Sequence, residues 1–152
     1  MVQAVFLDAY PLSLVTQRRG KSAEADACQS WMTGLFDAGI PVCVAEITDY
    51  EVRRELIRSG KTEGVSRLDI LQGVVDYLPI NTEAMLRAAE MWAEARNRGA
   101  PTADTKAIDG DVIMAAQILT CGLPAEEIIV ATTNVRHIAR YVNADVWRNI
   151  VL

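Results

Sequence analysis

One histidine in 152 residues leaves little room for histidine chemistry. His137 stands in "TTNVRHI", and no serine sits in a recognisable nucleophile elbow for it to activate, so a Ser–His–Asp hydrolase is not indicated. Neither G-x-x-x-x-G-K-[ST] nor G-x-G-x-x-G occurs, so nucleotide-binding folds lack their phosphate cradle. The cysteines number three, are far apart and show no C-x-x-C spacing. In their apolar surroundings Cys28, Cys43 and Cys121 read as buried free thiols of a reducing compartment. No apolar run approaches the ~18 residues of a membrane span. The N-terminus has no basic region and Asp8 interrupts its apolar run, so no signal peptide and a cytoplasmic location are expected. Basic residues are not in excess: 15 Lys and Arg against 20 Asp and Glu give a net charge of −5. That excludes a bulk electrostatic nucleic-acid binder but leaves local basic stripes, and acids gathered around a cation.

Repeats, low-complexity tracts and linkers are also missing, and one domain over residues 1–152 is expected. Apolar residues at 51% and charged ones at 23% are ordinary for a soluble globular chain. Short β-rich runs alternate with longer helical ones. Strands are expected over Gln3–Leu7, Pro41–Ala45, Val75–Pro79, Glu127–Thr132 and Asp145–Val151. Ser22 is placed to cap a helix whose inner face is Cys28, Trp31, Leu35 and Phe36, ending at Gly39. Thr48 opens "TDYEVRRELIRSG", closed by Gly60. Val65, Leu68, Leu71 and Val74 recur at helical spacing, as do Met85, Ala88, Trp92 and Ala95 before Gly99, and Met85 and Trp92 read as core. "GDVIMAAQILTCG" is apolar nearly all round and predicts a buried helix stopped by Gly122. Such alternation predicts a three-layer, Rossmann-like α/β sandwich with a mostly parallel sheet flanked by helices. Ligands of such sheets bind beyond the carboxyl ends of the strands.

Several polar residues fall at such ends. Asp8 follows the first strand, "AVFL", and is equally suited to capping the next helix or to a site. Glu51 fits a capping box with Thr48, and Glu55, one turn on, pairs readily with Arg58 or Arg54. Asp111 stands at the expected first turn of the apolar helix, where an acid suits the helix dipole. Asp109 and Asp104 crowd the same entrance, and three acids there repel one another unless a cation is present. Asp109 is expected in the loop, with Gly110 letting the chain bend, as a ligand through water or to a second ion. Asn134 follows the fourth strand, as a turn or helix-cap residue or as a site residue.

Taken in order, the set resembles the PIN domain, the nuclease fold of VapC-type toxins, over nearly the whole chain. "VFLDAY" resembles the first-strand motif with the family's first acid, here Asp8. "EITDYEVRREL" is similar to the segment with its glutamate, here Glu51. "DGDVIMAAQ" resembles the D-x-x-I-A-A helix start, at Asp111, and "IVATTNVRHI" the T-x-N motif, at Asn134. The resemblance implies a ribonuclease dependent on Mg²⁺ or Mn²⁺, with Asp8, Glu51 and Asp111 as metal ligands, Asn134 beside them and Asp109 or Asp104 supplying a further charge. It also implies a small antitoxin partner and a homodimer. Oxygen donors at one sheet edge suit those cations, and a bound cation can supply hydroxide and offset phosphodiester charge. Arg18, Arg19, Lys21, Arg53, Arg54, Arg58 and Lys61 are candidates to hold RNA phosphates. Ala9 and Tyr10 stand where the family has hydroxyl or amide side chains, and His137-Ile138 where it often has Asp-Phe. Those departures leave a second reading open: a non-catalytic PIN-like domain that binds RNA or protein. A phosphoryl-transfer protein with Asp8 as nucleophile ranks lower, because Tyr10 occupies the second acid's place in D-x-D.

Overall fold

Alternate residues of β1 (Ala4–Leu7) enter opposite cores, and this sets the layering of the molecule. Val5 and Leu7 join one apolar cluster, whereas Ala4 and Phe6 join another on the far face of the sheet. A strand buried on both faces must be covered on both, which is the condition of a central parallel strand. The computed structural model describes residues 1–99 and 105–151, with the side chains of 105–108 outside that description. The five strands form one parallel sheet in the order β3-β2-β1-β4-β5. Beside β1 lie β2 (Val42–Ala45), in register Val5 to Val42, and β4 (Ile128–Ala131), in register Leu7 to Ala131. At the edges are β3 (Asp76–Leu78) and β5 (Ala144–Asp145).

One face is covered by α1 (Ala9–Val15), α2 (Ala23–Asp37) and α4 (Thr62–Gln72), which contribute Leu12, Leu14, Cys28, Leu35, Leu68 and Leu71 to its core. Ser22 caps α2 as expected, accepting the Ala25 N–H at 3.0 Å, and Gly39 takes a φ of 74° just beyond its end. The other face is covered by α6 (Thr105–Leu119) and the short α7 (Val135–Ile138), and α5 (Thr82–Asn97) packs on the outer side of α6. Within α6, Val112, Met114, Ala115, Ala116 and Ile118 are all buried, which explains its nearly unbroken apolar stretch. Bridging the two sides at the carboxyl edge is α3 (Glu46–Arg58), which sends Val52 into one core and Ile47 into the other. Buried Gln117 locks this corner, accepting the Ile47 N–H at 3.3 Å and donating to the Leu78 carbonyl at 2.8 Å.

Three expectations are corrected. The last strand is two residues long, because Asp145 accepts the Val146 N–H at 2.7 Å and the Asn149 side chain at 2.9 Å, turning the chain into a 3₁₀ turn at Trp147–Asn149. That turn buries Trp147 against Trp31, ring centroids 5.7 Å apart. On α5 the buried face is Ala84, Ala88 and Met91, and Met85 and Trp92 are exposed, with the Arg96 guanidinium 4.7 Å over the Trp92 ring. Of the three free cysteines Cys28 and Cys43 are buried, but Cys121 is only partly so. No helix among the described residues is long and apolar enough to cross a membrane.

Candidate active site

The crevice between β1 and β4 is where the connections leave the central strand in opposite directions, the switch point at which open α/β sheets bind ligands. Asp8 stands at its floor. Its Oδ1 accepts the Ala9 N–H at 2.8 Å, so it does cap α1, and its Oδ2 accepts the Thr132 hydroxyl at 2.6 Å. Thr132 is itself buried at the end of β4 and accepts the Asn134 N–H at 2.9 Å. Two strand ends are thereby tied together through one carboxylate, and the carboxylate is held rigidly.

Glu51 reaches the same crevice from α3. The helix begins at Glu46 with Ala45 at its cap, two residues before Thr48, so the capping box is not formed and Glu51 is free to project from the helix interior. It extends across α6 at Gly110, where an added Cβ would collide with Oε1 and stand 3.0 Å from the carboxyl carbon. Asp111 follows on α6, within the helix rather than at its first turn, since α6 begins at Thr105. Its Oδ2 accepts the Asn134 side-chain amide at 3.4 Å. Asn134 precedes α7 but does not use its side chain to cap it.

These carboxyl groups sense one another. Burial, then the charge of Asp8, raises the Glu51 pKa, partly opposed by Arg54. Burial pushes Asp111 up to about 7, with repulsion from Asp8 and Glu51 adding to it and the Asn134 amide opposing it. The donors are all hard oxygens, as Mg²⁺ and Mn²⁺ require. Among the described residues no three acidic, histidine or cysteine side chains are already closed around one point as a finished metal site. An open arrangement of this kind fits a cation that takes one or two carboxylates and completes its shell with water.

Asp109 lies elsewhere. It is in α6 rather than a loop, and it is exposed at a cleft between α3 and α6, lined also by Ile47, Tyr50, Glu51, Arg54 and Ile113. Asp104 is outside the described residues. On the opposite side of Glu51, a second cleft of about 670 Å³ between α1, α3 and α4 is lined by Lys21, Arg58, Lys61 and Arg67. Of these Arg58 pairs with Glu55, and outside the cleft Arg53 is tied to Asp49 at 2.8 Å and to Asp69 at 2.5 Å. Tyr10 turns to the rim, donating to Glu24 at 3.0 Å. Sequence reasoning missed two residues. Thr132 brings a hydroxyl to Asp8 from another strand, although Ala9 cannot, and the first letter of the T-x-N motif was its signal. Gly110, which clears the path of Glu51, gave no signal beyond its position before Asp111.

The raised Asp111 pKa sets a pH dependence. The folded chain holds this proton more tightly than the unfolded chain, so without metal the group's contribution to stability is full below about pH 4 and is lost as pH rises to about 7. Denaturant unfolding in EDTA at pH 4.5 and 7.5 is expected to give Asp111→Asn a relative gain of roughly 1–2 kcal/mol at the higher pH, solvent screening at this half-buried position included. An equal difference between the two proteins at both pH values contradicts the assignment.

No family model matches the chain, and no curated protein is recognisably similar to it. Solved structures do match. The chain superposes on VapBC2 from Rickettsia felis, crystallised with a DNA fragment from its promoter, with a TM-score of 0.70, 16% identity and coverage of 95% of this chain and 98% of the other. Against VapBC-1 from nontypeable Haemophilus influenzae the TM-score is 0.67 at 14% identity, covering 96% and 99%. Against VapBC-5 of Mycobacterium tuberculosis, a member of the VapBC family of toxin–antitoxin systems, it is 0.53 at 15% identity, covering 95% and 97%. The shared fold is the α/β PIN-domain architecture of VapC chains.

Proposed function

We propose that the protein is a PIN-type ribonuclease that hydrolyses RNA phosphodiester bonds with Mg²⁺ or Mn²⁺, and that it is the toxin of a toxin–antitoxin pair. The observation that carries this is the convergence of acids from three separate segments: Asp8 accepts from Thr132, which accepts the Asn134 N–H, Asn134 in turn donates to Asp111, and Glu51 reaches the same helix at Gly110. Like charges assembled at a strand edge are costly unless a cation or a proton joins them. Asp8 and Asp111 are the donors fixed by neighbours, through Ala9, Thr132 and Asn134. A divalent cation held by Asp8 and Asp111 would supply an activated water and offset charge on the scissile phosphate. Glu51, between two clefts and next to Gly110, is placed to take a proton from water at its Oε1. Asn134 adds a neutral donor at the rim.

RNA is the substrate that the PIN resemblance implies, and its phosphates suit the cleft beside Glu51, where Lys21, Arg58, Lys61 and Arg67 stand alongside Glu51 and Glu55. Lys21 and Lys61 there carry the sequence-independent attraction that an acidic protein otherwise lacks. Replacing both with alanine is expected to weaken binding to several RNAs alike and to flatten the plot of log affinity against log salt by about 0.7 for each lysine lost. Unchanged slopes place the strand elsewhere. An antitoxin that covers these clefts is the partner inferred from the VapBC neighbours, and a homodimer from the resemblance.

Cleavage of several structured and unstructured RNAs with Mn²⁺, Mg²⁺ and EDTA tests the proposal. Metal-dependent scission is expected. RNA binding with no scission under any metal condition leaves the non-catalytic reading in its place.

A further inference from the structure

The cleft between α3 and α6 is not explained by metal binding. It measures about 540 Å³, within the range of small-ligand sites. Its apolar walls are Ile47 and Ile113, and Tyr50 stands at its mouth, 54% exposed. The Arg54 guanidinium lies 5.0 Å over the Tyr50 ring. Among the described residues Arg54 makes no ion pair, whereas its neighbours in α3, Arg53 and Arg58, are both paired. An exposed tyrosine carrying an unpaired arginine is a surface on which a nucleobase stacks while its phosphate meets the cation.

Asp109 faces this cleft, and Glu51 lines it on the side of the carboxylate cluster. A base seated here therefore belongs to the nucleotide next to the scissile phosphate. The carboxylate of Asp109 offers two acceptors and no donor. Guanine alone presents two adjacent donors, N1–H and N2–H, on its Watson–Crick edge. Adenine and cytosine each set a ring-nitrogen acceptor beside their single amino donor, and uracil sets its one N–H between two carbonyls. We propose that this cleft is a guanine subsite of the RNA-cleaving centre, with Asp109 reading the base edge and the Tyr50–Arg54 pair stacking on its face. The inference rests on the ribonuclease reading for its substrate but adds a base preference that the carboxylate cluster does not supply.

Binding of GMP, IMP, AMP, CMP and UMP to the intact protein, by calorimetry with and without Mn²⁺, tests it without needing turnover. GMP is expected to bind at least tenfold more tightly than AMP, CMP or UMP, and IMP, which lacks the N2 amino group, in between. Asp109→Asn is expected to abolish the preference for GMP over AMP with its melting temperature unchanged, and Tyr50→Ala to weaken GMP and AMP alike. Equal affinity for all five nucleotides overturns the subsite, as does an Asp109→Asn protein that keeps its GMP preference and shifts only its Mn²⁺ midpoint. RNA cleavage without any GMP preference sinks the subsite and spares the nuclease. GMP preference without RNA cleavage does the reverse.

Discussion

Replacing Asp111 with asparagine is expected to lower metal-dependent RNA cleavage by at least about 10²–10³-fold while making the metal-free protein more stable. The two effects share one cause. Asp111 is pushed up to about 7 by burial and by the charges of Asp8 and Glu51, so ionising it in the folded state is costly without a cation. Asparagine has the same shape, can still accept from the Asn134 amide through its own oxygen and removes that charge. It also removes a hard oxygen donor, so the variant is expected to lose most of the rise in melting temperature that Mn²⁺ gives the parent protein. Glu51→Gln should likewise make the metal-free protein more stable, because burial and the charge of Asp8 raise the Glu51 pKa. Asp8→Asn should not. Both oxygens of Asp8 accept, one from the Ala9 N–H and one from the Thr132 hydroxyl, and the carboxylate's charge strengthens both bonds. An amide there keeps only neutral bonds, its oxygen accepting from Ala9 and its NH2 donating to Thr132, and a loss of roughly 1 kcal/mol in stability is expected alongside the loss of activity. Unfolding curves in EDTA and cleavage rates in Mn²⁺ decide the matter. An Asp111→Asn protein that keeps its rate, or that is inactive only because it unfolds, removes Asp111 from the site.

The strands and the order of the main helices were legible because burial on both sheet faces leaves an unmistakable mark: "AVFL", "VCVA" and "IIVA" are apolar at every position. Where a segment is covered on one side only, the pattern is weaker. On α5 the repeat of Met85, Ala88, Trp92 and Ala95 is as good a helical stripe as Ala84, Ala88 and Met91, and only packing against α6 decides between them. Helix starts were less legible still. Thr48 and Gly110 look like boundaries, yet α3 and α6 begin earlier, at Glu46 and Thr105, because tertiary contacts outweigh local capping preferences. That shift matters for the site. It frees Glu51 from its capping role, and it puts Asp109 and Asp111 two residues apart on one helix, so that they diverge to different clefts. The principal site residues were visible as strand-end and helix acids. Their supports were not, because a hydroxyl such as that of Thr132 or a bare Cα such as that of Gly110 acts through a neighbour distant in sequence.

Gly110 yields a prediction in which stability and activity part company. Glycine inside a helix is unfavourable by up to about 1 kcal/mol relative to alanine, and Gly110 is the sixth residue of α6 by the bounds Thr105–Leu119. Its φ is not in the left-handed region, so nothing in the backbone demands glycine. What demands it is the carboxylate of Glu51, which occupies the space a Cβ would take. The obstructed atom is the far end of a flexible side chain, and Glu51 can rotate outward into the clefts on either side. Gly110→Ala is therefore expected to leave the melting temperature unchanged or raise it by a few degrees, and to lower metal-dependent cleavage by about 10²-fold, the order of losing one placed polar group. A double-mutant cycle separates this from general disturbance of α6. If the alanine acts only by displacing Glu51, then Gly110→Ala in a Glu51→Gln background costs no further activity. If the two losses multiply instead, Gly110 has a role of its own, and the placement of Glu51 over its Cα is not what catalysis depends on.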